Sequence, residues 1–172
     1  MLNIFLTAKQ ALNIGKERRL FMTIPRVTDA LPELISFSDF LAQQCSKGRI
    51  TNWLLFSESV RAFFTPALMA KVDQVVPGWK KMGSYADQQT LIHVMGALVA
   101  LILLPELKQT DTDQKTLLIW MVLFHDIAKI AQPGTHDYLH GFRSAAITGK
   151  ALAALGFPTS PDFPELINSC MT

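Results

Sequence analysis

The chain has 172 residues, 49% of them hydrophobic and 17% charged, with nine glycines and nine prolines, a composition far from that of disordered chains. Its net charge of +2, with basic residues scattered apart from a short run at Lys16, Arg18 and Arg19, gives no nucleic-acid footprint. Cys45 and Cys170 form neither a CxxC pair nor a zinc spacing, so thiol chemistry is set aside and a reducing, cytoplasmic setting is expected.

A mean hydropathy of +0.24 makes the membrane a reading to test. The longest apolar stretch, Val94 to Leu104, is eleven residues long and closes at Pro105 and Glu106. A spanning helix needs about 20, and extending this one backwards brings in His93, Gln89, Gln88 and Asp87, so a buried core helix is expected and no membrane partner. The opening MLNIFLTAKQ has neither a basic n-region nor a small-residue cleavage site, and no secretory signal is expected.

Apolar positions recur at helical spacing almost throughout, and no run alternates as a half-buried strand does. The pattern predicts a single all-α domain over 1–172, a bundle of seven to eight helices. A first helix covers Asn3 to Leu20, and Pro25 marks an irregular connection. The second starts from Asp29 as N-cap, carries Pro32 in its first turn, buries Leu31, Leu34, Ile35 and Leu41, and stops near Gly48. Asn52 or Thr51 caps a third, with Trp53, Leu54, Phe56, Val60, Phe63 and Phe64. Thr65 with Pro66 starts a fourth, which Pro77 and Gly78 end.

Asp87 opens the fifth helix, which stops at Pro105 or shortly after. The sixth starts at Asp111 or Asp113, runs through LLIWMVLF into His125, Asp126 and Lys129, and ends at Pro133 and Gly134. The seventh runs from Gly141 to Leu155, bounded by Gly156 and Pro158, and Ser160 with Pro161 starts an eighth toward Thr172. No repeat, low-complexity segment or long linker divides the chain.

All four histidines, His93, His125, His136 and His140, fall in one continuous stretch. His125 and Asp126 follow eight consecutive apolar residues, Leu117 to Phe124, which places an imidazole and a carboxylate at the end of a largely buried helix. Buried polar groups of this kind are paired or bound to a metal. His93 comes from the preceding apolar helix, and Gly96, Ala97 and Ala100 on its face let another helix approach closely. Two antiparallel neighbours then present two neutral imidazoles and one carboxylate to a single point, a donor set suited to Mn, Fe, Co, Ni or Zn, or to Mg with added water. On their own, His93 also reads as a satisfied core histidine and Asp126 as the ion-pair partner of Lys129 at i+3.

The segments TLIH at 90–93, LFHDIAK at 123–129 and HGFRSA at 140–145 together resemble the HD-domain superfamily of metal-dependent phosphohydrolases. That family is all-α, with a metal site built from a first His, a His-Asp doublet and a later Asp. The resemblance covers 80–157 with motifs, so 81–172 is expected to form the HD-like core, with 1–80 as N-terminal helices packed on it. It implies His93, His125 and Asp126 as ligands of a divalent metal, with Lys129 near a substrate phosphate or holding Asp126.

His140 and Arg143 stand at the start of the seventh helix, where free backbone N–H groups and the helix dipole favour an anion and an arginine fork can add two bonds. Arg143 reads equally as an ion-pair partner of Asp137. Ser144 reads as packing or a local hydrogen bond, and His136 with Asp137 as a loop pair rather than a second metal site. The family's later Asp has no clear counterpart before Thr172: Asp162 and Glu165 are the acids that remain, and both read as helix-start residues, so a core truncated at its C-terminus is expected.

The function these readings imply is hydrolysis of a phosphate ester or nucleotide, with Lys129, His140 and Arg143 orienting substrate or protonating the leaving group. The rival is a non-catalytic HD-fold module, binding a ligand or partner through an incomplete site. The last helix and the Phe-rich segment 53–64 are also candidates for a homo-oligomer interface.

Overall fold

The computed structural model describes residues 25–82, 88–130, 137–155 and 157. Among them every regular element is a helix: α1 (Val27–Ala30), α2 (Pro32–Ser46), α3 (Trp53–Phe63), α4 (Pro66–Val75), α5 (Trp79–Met82), α6 (Gln89–Leu103), α7 (Pro105–Gln109), α8 (Thr112–Phe124) and α9 (His140–Ala154). The expected helices over 3–20 and 160–172 lie outside the described residues.

Local chemistry sets most of the boundaries. Asn52 caps α3 through its side-chain oxygen, which accepts the Leu55 N–H at 3.0 Å. Thr65 does the same for α4, accepting the Leu68 N–H at 3.2 Å, with Pro66 at the first helical position where no N–H is needed. Asp111 caps α8 by accepting the N–H groups of both Asp113 and Gln114 at 3.0 Å.

Three expectations need correction. Asp29 does not cap the second helix but sits inside the one-turn α1, and the chain leaves helical geometry at Leu31 (φ −138°, ψ 60°). Pro32 explains the break, because its ring disfavours the helical region for the residue before it. The connections after Gly78 and at Pro105 are themselves short helices, α5 and α7, which brings the described total to nine. Pro105 cannot continue the bonding of α6 but opens α7, with Leu104 extended between them (φ −66°, ψ 126°). The third correction, the end of α8, belongs to the site below.

The core is built around α6. Its Leu91, Ile92, Val94, Met95 and Leu98 are inaccessible to solvent, and the helix packs against α2, α3, α5 and α8. A helix apolar on all sides and this enclosed is a core element, and no helix among the described residues is long and apolar enough to cross a membrane. Of the small residues beside His93, Gly96 faces α3, since a Cβ there would meet the Trp53 ring at 3.4 Å. In the Phe-rich segment, Phe56, Val60 and Phe64 are buried, while Trp53 and Leu54 remain on the surface at 51% and 63% exposure.

Burying a leucine side chain contributes about 1.5–3 kcal/mol, and truncating one leaves a cavity as well. Leu98→Ala should therefore lower unfolding free energy by about 2–5 kcal/mol in urea titrations. Leu54→Ala should stay within about 0.5 kcal/mol, and equal effects at the two positions would contradict this packing.

Candidate metal centre

The start of α6 and the end of α8 meet, which brings the His93 and His125 rings to 5.3 Å between centroids. Helix α8 was expected to continue past Lys129 but ends at Phe124, and the residues 125–128 form turns. The Ile127 N–H bonds the Phe124 carbonyl, three residues back, at 3.0 Å, and the Lys129 N–H bonds the Asp126 carbonyl at 3.0 Å. The Ala128 N–H donates to the Ser144 hydroxyl at 3.1 Å, so the buried serine of α9 ties that helix to the turn.

Asp126 is the centre of the arrangement and is 1% exposed. Its Oδ2 accepts Lys129 Nζ at 2.9 Å and lies 3.7 Å from His93 Nε2 and 3.9 Å from His125 Nε2, while its Oδ1 lies 3.2 Å from His140 Nε2. Burial works to raise this carboxyl's pKa, but the charged groups around it, among them the Lys129 ammonium that also hydrogen-bonds it, outweigh burial and hold the group ionised, below the ordinary aspartate value. Both sequence readings of Asp126 are thus compatible: it pairs with Lys129, and it stands among imidazoles.

The three imidazoles have different hydrogen-bonding states. His125 Nδ1 lies 2.6 Å from the Val122 carbonyl, which can only accept, so Nδ1 carries a proton, and in that tautomer the lone pair of the ring is on Nε2. That Nε2 is buried and has no hydrogen-bond partner. A carbonyl fixing one ring nitrogen while the other faces a carboxylate is the outer support typical of metal-binding histidines. Burial lowers the pKa of His93, with Asp126 partly opposing, which keeps it neutral and able to ligate near pH 7. His140 Nδ1 contacts the Asp137 carbonyl, and its Nε2 lies 3.2 Å from Asp126 Oδ1.

One ligand atom each from His93, His125 and Asp126 lies within 4.8 Å of the others, and the donor chemistry fits a divalent ion. His140 is brought to the same carboxylate. Arg143 is not: its Nη2 pairs with Asp137 Oδ2 and donates to the Ala128 carbonyl at 3.3 Å. His136, Asp162 and Glu165 lie outside the described residues. Asp137, read in sequence as part of a loop pair, is a junction whose Oδ2 also accepts the Ile130 N–H at 2.9 Å. Its nearest sequence signal was the six-residue spacing to Arg143.

No family model matches the chain, and no curated protein or solved structure matches it either.

The Ile130 N–H, and after it the Arg143 guanidinium, hold the Asp137 carboxyl down from 3.8 to about 2. Its folded value lies below the unfolded one, so the clasp stabilises fully above about pH 4 and is lost as pH falls through about 2. A carboxyl-carbon NMR titration should place the Asp137 midpoint near 2. In Arg143→Met the midpoint should rise but stay below the ordinary value, because the backbone donor remains. An ordinary midpoint in the unaltered chain would contradict the clasp.

Proposed function

We propose that the chain is a divalent-metal-dependent phosphohydrolase of HD-domain type, acting on a phosphate ester or nucleotide, with His93, His125 and Asp126 as the metal ligands. The observation that carries this reading is the buried His125 Nε2, aimed at Asp126 with its lone pair unpartnered. Buried polar atoms are normally satisfied, and this one has the tautomer, neighbours and backing carbonyl of a ligand.

When bound, the ion supplies Lewis-acid activation of water and charge compensation on phosphoryl oxygens. The chain's own groups do the rest. The Lys129 ammonium, at the partly exposed edge of the site, is placed to turn from Asp126 Oδ2 toward a substrate phosphate. His140, whose ring is oriented by the Asp137 carbonyl with Nε2 facing Asp126, is placed to pass a proton from Nε2 to a leaving-group oxygen. Arg143 acts at one remove, holding Asp137, whose carbonyl orients the His140 ring.

A second reading has an observation of its own. Lys129 on Oδ2 and His140 on Oδ1 offset the buried charge of Asp126 with groups of the chain itself, as a non-catalytic HD-fold module would. Elemental analysis after reconstitution with Mn²⁺, Co²⁺ or Zn²⁺ separates the two, because the module predicts no stoichiometric metal.

With metal supplied, the phosphohydrolase should turn over a generic phosphomonoester or members of a nucleotide panel. Loss of a residue that merely supports a ligand costs 10- to 100-fold, so His125→Ala and Asp126→Ala should each lose at least about a hundredfold. Unchanged rates in both variants would reject the site.

A further inference from the structure

The end of α8 is held by three donors, and one comes from a distant element. The Val122 carbonyl faces His125 Nδ1, the Phe124 carbonyl takes the Ile127 N–H, and between them the Leu123 carbonyl takes the indole N–H of Trp79 at 2.8 Å. In a continuing α-helix the Leu123 carbonyl would take the N–H four residues on, which is Ile127. Trp79 stands in for that donor, and Ile127 is left to close a tighter turn onto Phe124.

Trp79 is itself fixed. It is fully buried, it packs against Phe64 with ring centroids 5.8 Å apart, and its two chain neighbours, Gly78 at the end of the loop and Lys80 in α5, both donate their N–H groups to Asp73 Oδ1, at 3.0 and 2.8 Å. Gly78 has φ +108°, and a Cβ there would lie 2.9 Å from Ile127 Cγ1. The same loop therefore grips the residue that follows Asp126.

We infer that Trp79 is a positioning residue for His125 and Asp126: its indole N–H ends α8 at Phe124 and so sets the turn from which both ligands project. The inference rests on the proposed reading that these residues bind a metal. Without the indole N–H, the buried Leu123 carbonyl regains its claim on Ile127, and the turn over 124–127 relaxes toward continued α-helix, carrying Asp126 away from His93.

Trp79→Phe keeps the ring and deletes the donor. Trp120→Phe is the control, because Trp120 is equally buried and also donates to a carbonyl, that of Pro25 at 2.8 Å, away from the site. By calorimetry, Mn²⁺ affinity should fall about 10- to 100-fold in Trp79→Phe and hold in Trp120→Phe. The through-hydrogen-bond NMR coupling of the Ile127 nitrogen should move from the Phe124 to the Leu123 carbonyl carbon in Trp79→Phe alone. Unaltered affinity together with an unmoved coupling overturns the inference, and so does an equal loss of affinity in both variants.

If the unaltered chain binds no Mn²⁺, the metal reading fails, and the coupling still decides whether Trp79 sets the turn. Should Trp79→Phe not fold, replacing Trp79 with β-(3-benzothienyl)alanine, which keeps the fused ring and lacks the N–H, takes its place with the same expectations.

Discussion

A carboxylate that solvent barely touches governs this molecule. Moving one ion out of water costs several kcal/mol even after the protein relaxes, and the cost is met only when geometry supplies compensating charge and hydrogen bonds. Around Asp126 the compensating charge and hydrogen bond come from the Lys129 ammonium, and three imidazoles are gathered there from separate places: His93 near the start of α6, His125 beside it in sequence, and His140 at the first residue of α9. Those elements must be held at fixed distances for the acid to remain ionised. The buried apolar body of α6, the Ser144 bond to the turn and the Asp137 clasp on Arg143 are means of holding them.

The histidines divide the work according to what backs each ring. A carbonyl behind His125 fixes its tautomer and leaves one nitrogen bare, whereas His140, also backed by a carbonyl, brings its second nitrogen to 3.2 Å from Asp126 Oδ1. His93 has no such backing among its described contacts and is kept neutral by burial. One carboxylate thus meets three rings in different surroundings, set by hydrogen bonding at His125 and His140 and by burial at His93, and the proposed division into two ligands and one proton donor builds on that difference. Lys129 shares Asp126 Oδ2 with the His93 and His125 rings, so at the proposed site its ammonium and a divalent ion would compete for one oxygen.

Much of this arrangement was legible in the sequence where local chemistry decides it. The caps at Asn52, Thr65 and Asp111, the all-helical periodicity, and the meeting of His93 with His125 and Asp126 follow from residue types and spacing. Other features were not legible, for a common reason. That α8 stops at Phe124 depends on an indole 44 positions earlier in the chain, and no window around LLIWMVLFHD contains that donor. Gly96 signalled a close approach, but which helix would use it depends on the packing of the whole bundle. Arg143 was balanced between an anion and Asp137, and the balance is tipped by the Ile130 N–H, which draws Asp137 into position. The HD-type assignment rests on motif order and this geometry, since no family model matches the chain.

The central claim is that Asp126 Oδ2, His93 Nε2 and His125 Nε2 converge on one cation. Anomalous diffraction from crystals grown with Mn²⁺ or Co²⁺ tests it most directly. The account predicts a single strong peak within bonding distance of those three atoms, with Lys129 Nζ moved off Oδ2. No peak there, with the ammonium still seated on the carboxylate at saturating metal, would contradict it.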